Sequence, residues 1–269
     1  MNSDQKKVFE AAENGTLNQI PRELLTQENL TIKNRDGWTP FHWAAQNGHL
    51  DQIPREFLTQ ENLTIKNDSG RTPLHNAAWK DHLDQIPKEL LTTENLTRKN
   101  GFEETPSHYA AWKGHLDQIP EELLTTENLT IKDSDRWTPL HWAAENGHLD
   151  KIPQELLTTE NLTMKDSDGK TTLHRASENG HLDQIPEEFR AAVKNIGQIS
   201  DLTAGTMTNL LRKVPTKECL EILIEYSDNQ RDKDFFQKGL DTLKKREASR
   251  QKLSNAIAEI SDPQIHKIE

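Results

Sequence analysis

A spacing of 33 residues repeats along the first two-thirds of the chain without a single insertion. It separates the threonines that precede a proline, or a second threonine in the last copy: Thr39, Thr72, Thr105, Thr138 and Thr171. Ile-Pro pairs recur with the same spacing, from Ile20 to Ile185. Neighbouring copies dock alike only if they are geometrically equivalent, so this constancy predicts a stack of identical units.

The composition favours such a stack over one large core. Of 269 residues, 32% are hydrophobic and 29% are charged, which suits units that bury only their neighbours' faces. The one cysteine, Cys219, leaves no disulfide framework and no CxxC metal site. Since the N-terminus lacks an apolar signal segment and no stretch approaches eighteen apolar residues, we expect a soluble cytoplasmic protein without a membrane span.

Three segments contain the repeated motif most fully: GWTPFHWAAQNGHLD (37–51), GRTPLHNAAWKDHLD (70–84) and RWTPLHWAAENGHLD (136–150). They resemble the ankyrin repeat, which is also a 33-residue unit, with a G-x-T-P-L-H-x-A-A-x-x-G-H-L core. The resemblance covers roughly residues 6–190. It implies an all-α solenoid in which each unit has a hairpin finger followed by two antiparallel helices.

We therefore divide the chain into two domains. An ankyrin-repeat array spans 4–190, with an N-terminal cap at 4–34 and five units, repeats 1 to 5, that start near 37, 70, 103, 136 and 169. A C-terminal helical domain follows at 191–269. Apolar residues spaced by three or four from Phe236 to Ile260 predict a helix of about thirty residues there. We favour a small helical bundle, with a homodimer or partner contact through that helix as the alternative.

Repeat 1 illustrates why each first helix should form. Thr39 suits an N-cap with Pro40 at the first helical position, and Gly48 suits a positive-φ end. In the family, the histidine at position 42 bridges the threonine hydroxyl and nearby backbone. We therefore interpret the histidine at that position of every repeat as structural and expect no metal or cofactor.

Some positions depart from the family pattern. Asp81, Glu103 and Arg136 replace glycines, Ser107 replaces the usual leucine, and Thr172 and Ser177 replace the proline and an alanine of repeat 5. We expect irregular fingers in these copies. Pro54 falls early in the second helix, at its first position or at its third after an Asp51 cap, so that helix should be short, about 54–59. The five NLT sequons recur at one repeat position, and we interpret their asparagines as structural.

Positions that differ between copies are where function should lie. All six tryptophans fall just before the Thr cap, just after the Ala pair or just after the His. In ankyrin proteins the first two sets line a concave groove that faces the partner, while the third is partly packed. The predicted partner-binding residues are Trp38, Arg71, Trp79, Lys80, Tyr109, Trp112, Lys113 and Trp137. We favour a core role for Trp43 and Trp142.

The charge is uneven along the chain. From Ala191 onward, 13 basic residues face 12 acidic ones, so residues 1–190 hold 20 basic and 32 acidic side chains, a net charge of −12. Such a surface repels phosphate backbones, which disfavours direct nucleic-acid binding by the array.

No catalytic constellation or phosphate-binding loop is present in the sequence. Our leading hypothesis is a non-enzymatic scaffold that binds a protein partner through the tryptophan-rich groove. The uniform repeats favour a bacterial or viral host-interaction or inhibitor protein. One alternative is an acidic decoy that mimics nucleic acid and blocks a basic protein. Another is an enzyme with its site in 191–269.

Overall fold

The computed structural model describes residues 1–186, 224 and 230–260, and the chain divides into two compact units, Met1–Ile185 and Pro186–Glu269. The described residues contain twelve α-helices and one isolated bridge, between Lys165 and Thr171. The all-α repeat fold predicted from the sequence is thereby confirmed.

The first helix of each repeat begins directly after its capping threonine. In repeat 1, Thr39 closes a capping box with His42, Pro40 occupies the first turn, and Gly48 ends the helix with a φ of 74°. The first helices of the cap and the five repeats are α1 (Ser3–Asn14), α3 (Pro40–Asn47), α5 (Pro73–Lys80), α7 (Pro106–Lys113), α9 (Pro139–Asn146) and α11 (Thr172–Glu178).

Small side chains let these first helices stack closely. Each of the first five contacts the first helix of the next unit. The alanine pairs that face the neighbours are fully buried: Ala44 and Ala45, Ala77 and Ala78, Ala110 and Ala111, and Ala143 and Ala144. Since alanine loses little side-chain entropy on burial, such pairs suit a close helix contact.

The first histidine row links neighbouring repeats. His42 Nδ1 accepts from the backbone N–H and hydroxyl of Thr39, and its Nε2 donates to the Arg71 carbonyl at 3.0 Å. His75 and His108 make the same contacts. The role implied by the family resemblance is confirmed at these positions. Among the described residues, no cluster of three metal-ligating side chains is found.

Of the predicted short second helix at 54–59, only a 3₁₀ turn at Arg55–Phe57 is present, beginning directly after Pro54. Pro54 has the extended, polyproline-like angles φ −54° and ψ 132°, and it separates two 3₁₀ turns. Because proline lacks the N–H that a helix interior needs, the second segment breaks into two turns. These turns are Leu17–Gln19 and Arg22–Leu24, Leu50–Gln52 and Arg55–Phe57, Leu83–Gln85 and Lys88–Leu90, Leu116–Gln118 and Glu121–Leu123, Leu149–Lys151 and Gln154–Leu156, and Leu182–Gln184.

A single helical turn follows each pair of 3₁₀ turns. In repeat 1, Thr59 caps it through Asn62 N–H, and Leu63 is fully buried. Asn62 is also buried and donates to the Phe57 carbonyl at 2.7 Å, which supports the structural interpretation of the sequon asparagines. These short helices are α2 (Gln27–Thr31), α4 (Gln60–Leu63), α6 (Thr93–Leu96), α8 (Thr126–Leu129) and α10 (Thr159–Leu162).

The fingers are regular, contrary to our expectation for the copies without glycine. In repeat 1, the Asn34 side chain accepts from Asp36 and Trp38 N–H groups. Glu103 and Arg136, which replace glycine, have φ of 60° and 61°, and the backbone hydrogen bonds of their fingers match those of repeat 1. The surrounding finger hydrogen bonds therefore hold the turn, at a steric cost to Glu103 and Arg136.

In several units a glutamine side chain forms a clasp, a pair of hydrogen bonds to the backbone of the preceding unit. Gln85 accepts from Leu50 N–H at 3.0 Å and donates to the Gly48 carbonyl at 2.9 Å. Gln118 and Gln184 make equivalent pairs of contacts with their own preceding units. These bonds satisfy backbone groups at the turn that ends each first helix.

The predicted helix of about thirty residues in the second unit is confirmed as α12 (Gln230–Ile260). Phe236 and Leu240, on its predicted apolar stripe, are buried. Apart from Ile224 and α12, the predicted C-terminal domain at 191–269 lies outside the described residues. None of the described helices combines the length and the apolar character that crossing a membrane requires.

Candidate functional site

The predicted partner-binding side chains lie at the C-terminal turns of the first helices and at the ends of the fingers. Trp79 and Lys80 lie in the last turn of α5, and Trp112 and Lys113 lie in the last turn of α7. The two tryptophans are half-buried, and Lys80 is exposed. Repeats 2 and 3 thus present an indole and an ammonium at equivalent places.

Three indoles form a continuous ridge across repeats 2, 3 and 4. The ring of Trp112 lies edge-on to Trp79, with centroids 4.3 Å apart, and to Trp142, at 4.9 Å. All three are half-buried. We call Trp79, Trp112 and Trp142 the tryptophan ridge. Trp142, which we favoured as a core residue, is therefore part of this partly exposed surface.

Tyr109 differs from the other predicted site residues because only 1% of it is exposed. Its hydroxyl donates to the Glu104 carboxylate, and its ring lies 5.3 Å from Trp79. Burial, together with the nearby Glu104 charge, raises the pKa of the Tyr109 hydroxyl. Tyr109 therefore supports the ridge from beneath and presents almost no surface of its own.

Cations already lie over several of these rings. Lys113 Nζ is 4.4 Å from the Trp79 centroid and 5.0 Å from that of Trp112. Arg175 lies 4.0 Å from the Trp137 ring, a contact that the repeat pattern did not predict. Contacts of this kind stabilise by about 0.5–2 kcal/mol, depending on how far they are removed from water. Arg71, the remaining predicted cation, lies over the buried Tyr109.

The predicted groove is less continuous at repeat 1. Trp38 contacts Trp43 at a centroid distance of 4.8 Å, and both are half-buried. Between this pair and the ridge, repeat 2 places Asn76, which is buried and donates to the His42 carbonyl. Within residues 1–186 no ring contact joins the pair to the ridge.

A cleft of about 460 Å³ opens beside the ridge, between the fingers of repeats 3 and 4. Four aromatic rings line this aromatic cleft: Phe102, Trp112, Trp137 and Trp142. Four carboxylates share it with them: Glu104, Asp133, Asp135 and Glu145. The lining therefore combines apolar ring faces with negative charge.

Sequence reasoning missed Phe102, although 58% of it is exposed. The signal was present, because the other four fingers carry Asp or Ser at this place, as at Asp36 and Ser69. The variable positions beside the TPLH motif do not include the finger tips. An exposed phenylalanine among polar equivalents marks a surface that the fold itself does not require.

The comparisons with known proteins concern the first unit. The sequence model of a family described as ankyrin repeats matches three times, over residues 8–100, 82–154 and 107–186. No curated protein sequence matches the chain. The three family matches together span 8–186, well over half of the residues. With the stacked helices and histidine bridges described above, they show that this chain belongs to the ankyrin-repeat family, whose arrays generally mediate protein–protein interaction.

Proposed function

We propose that the array is a non-enzymatic scaffold that docks a protein partner on the tryptophan ridge and the rings beside it. The observation that carries this proposal is the contact of Trp79, Trp112 and Trp142 across three successive repeats, with each ring still partly exposed. Tryptophan, tyrosine and arginine dominate the binding energy of protein interfaces.

The other repeats support this interpretation because they fold without an indole at the same place. Gln46 in repeat 1, Glu145 in repeat 4 and Glu178 in repeat 5 occupy the position of Trp79 and Trp112. The stacking of the units therefore does not require the two tryptophans, and an aromatic surface retained without a structural need favours a binding role.

The proposal is tested by replacing Trp79 and Trp112 with the glutamine that repeat 1 carries at this position. Intact wild-type chain and the Trp79→Gln/Trp112→Gln variant are immobilised and compared for protein capture, after circular dichroism and urea unfolding have shown the same fold. We expect captured partners to be lost or weakened at least tenfold, since each hot-spot residue contributes about 2 kcal/mol or more. Glu122→Gln, on the exposed 3₁₀ turn of repeat 3, is the control.

An acidic decoy is the second candidate, favoured by regularly spaced exposed glutamates. One row, with a 33-residue spacing, lies on the second 3₁₀ turns: Glu23, Glu56, Glu89, Glu122 and Glu155. Some of this charge is neutralised, since Arg22 pairs with Glu56 and Arg55 with Glu89. A decoy predicts capture that weakens steeply with salt and is reduced by Glu122→Gln. Capture that depends on the tryptophans and resists salt favours the ridge.

A cytoplasmic location and a host-directed or inhibitory role remain predictions from the sequence alone. The partner protein would be isolated in the capture experiment and its identity would test both. Turnover by an isolated 191–269 fragment would contradict the non-enzymatic assignment.

A further inference from the structure

The aromatic cleft differs from the rest of the tryptophan surface in its charge. Beside the ridge, the charged side chains that follow Trp79 and Trp112 are the cations Lys80, which is exposed, and Lys113, which is half-buried. Among the described residues, the charged side chains that line the cleft are all carboxylates. A protein that covers this surface would therefore meet an abrupt change of sign between repeats 3 and 4.

The carboxylates of the cleft are poorly neutralised. Asp135 is exposed, and across the described residues no hydrogen bond or ion pair reaches its carboxylate. Glu145 accepts from Asn179 at 2.9 Å, and Arg175, its one cationic neighbour in the described part of the chain, is 4.0 Å away. The cleft thus retains negative charge that an incoming cation can balance.

Asp133 is held in the cleft wall by neutral donors. Its Oδ1 accepts from two finger N–H groups, and its Oδ2 accepts from the Trp142 indole at 3.1 Å. Burial, with a smaller contribution from the Asp135 charge, raises the pKa of the Asp133 carboxyl. A positive charge placed between Asp133 and Asp135 would relieve this repulsion.

The rings of the cleft already bind cations from within the chain. Trp137 carries the Arg175 guanidinium at 4.0 Å, and Trp112 carries the Lys113 ammonium at 5.0 Å. The volume of about 460 Å³ falls within the range of ordinary ligand pockets and exceeds what a single ion would fill. The site thus has the size for a side chain with some of its backbone.

We propose that the aromatic cleft receives a cationic side chain, the ammonium of a lysine or the guanidinium of an arginine, from the protein that docks on the tryptophan ridge. This inference rests on the proposed function and adds the chemistry of the partner to it. Ring faces and carboxylates together favour an organic cation over a neutral group of the same shape.

The first experiment uses n-butylammonium, which has the shape and charge of a lysine side chain, with butan-1-ol as its neutral counterpart. The indole N–H signals of the ¹⁵N-labelled intact chain are followed by NMR at constant ionic strength. We expect Trp112, Trp137 and Trp142 to shift saturably, with a dissociation constant on the order of 1–10 mM. Trp38, in repeat 1, should not shift. Equal shifts with butylammonium and butan-1-ol would overturn the proposal.

The second experiment removes charge without touching the rings. Asp135→Asn should weaken butylammonium binding by about fivefold, since a carboxylate near a surface cation contributes modestly to its binding. Asp36→Asn changes the equivalent finger residue of repeat 1 and should leave the binding unchanged. Equal affinity in wild type and Asp135→Asn would contradict a role for the acidic lining.

The effect of each variant on partner capture then distinguishes the two proposals. If Trp79→Gln/Trp112→Gln releases the partner but Asp135→Asn retains it at full affinity, the scaffold function holds and the cation site is wrong. If the double variant retains the partner, the scaffold function fails even where butylammonium binds. Loss of partner in the double variant and weaker binding in Asp135→Asn support both.

Discussion

The indole N–H of Trp142 donates to Oδ2 of Asp133, and the two residues stand nine positions apart in the sequence. The equivalent pair in repeat 5 is Asp166 with Arg175, whose guanidinium also donates to the carboxylate. In repeat 1 the pair is Asn34 with Trp43, and there the buried indole N–H has no acceptor among the described residues. In repeats 1, 4 and 5 the first residue of the finger thus determines whether the donor nine positions later finds an acceptor there.

We predict that Asn34→Asp stabilises the chain. The second carboxylate oxygen would accept from Trp43, as Asp133 does from Trp142, and a buried unsatisfied donor destabilises by about 1–3 kcal/mol. We expect a gain near 1 kcal/mol, or a rise of about 2–4 °C in Tm, measured by thermal unfolding at neutral pH. The reciprocal Asp133→Asn should lower Tm, since its amide presents a second donor to Trp142. A lower Tm for Asn34→Asp would contradict this account.

Lys151 marks a weak junction between repeats 3 and 4, and Lys151→Gln should strengthen it. It stands where repeats 2, 3 and 5 carry the clasping glutamine, and it pairs with Asp117, an exposed contact that contributes little. A glutamine there would add two hydrogen bonds to the turn after α7, each stabilising by about 0.5–1.5 kcal/mol. Urea unfolding should show a higher midpoint. Lys151→Met, which removes the charge without restoring the clasp, is the control and should show no such gain.

Arg136→Gly should also stabilise the chain, because Arg136 holds a left-handed backbone with φ of 61°. That conformation disfavours a side-chain-bearing residue by roughly 1–2 kcal/mol, and the greater freedom of glycine in the unfolded chain offsets part of the gain. A net increase of about 0.5–1 kcal/mol in unfolding free energy is expected. Arg136→Ala retains the Cβ atom, so equal stabilisation by both changes would exclude backbone relief as the cause.

The buried histidines predict loss of stability in mild acid. Burial lowers the pKa of His42, His108 and His141 to about 4, and that of His75 to about 3. The unfolded chain protonates these groups near pH 6.5, so it binds more protons than the folded chain below that pH. Their contribution to stability is complete above pH 6.5 and is lost as pH falls towards 4, at up to about 1.4 kcal/mol per pH unit for each histidine.

Urea unfolding at pH 7, 6 and 5 measures this slope. His108→Gln, which keeps a side-chain hydrogen-bonding group at the N3 position, should reduce it by about 1.4 kcal/mol per pH unit. The raised pKa of the Asp133 carboxyl has the opposite effect on stability as pH falls. Because the ordinary pKa of this carboxyl is 3.8, the effect lies near the acid end of the range from pH 6.5 to 4. A slope unchanged in His108→Gln would refute the assignment.

The fold of the first unit was largely predictable because its signals are local. Thr39, Pro40 and Gly48 act through caps and backbone angles that each residue type favours by itself. The second segment was predicted less well, since Pro54 is compatible with a helix start as well as with an extended residue between two turns. The structure has the extended residue at Pro54, which the local sequence does not distinguish from a helix start.

The sequence positions of the candidate site could be predicted, but the burial and the mutual contacts of its side chains could not. Comparison of the copies identified Trp79 and Trp112, whereas it could not show that Tyr109 is buried beneath them or that Trp142 completes the ridge. Those outcomes depend on ring contacts between different repeats. The acidic character of the cleft likewise arises only when the finger of repeat 3 meets that of repeat 4.

The links between repeats also constrain how this chain can change in length. Lys33 reaches the Lys66 carbonyl, His42 the Arg71 carbonyl and Gln85 the Leu50 amide, and each pattern recurs in later units. Recombination between copies adds or deletes a whole 33-residue unit and returns every such group to an equivalent partner. An insertion of any other length in a stacked segment separates the partners at that junction. Unequal crossing-over therefore offers this array a route to longer or shorter binding surfaces through intermediates that still fold.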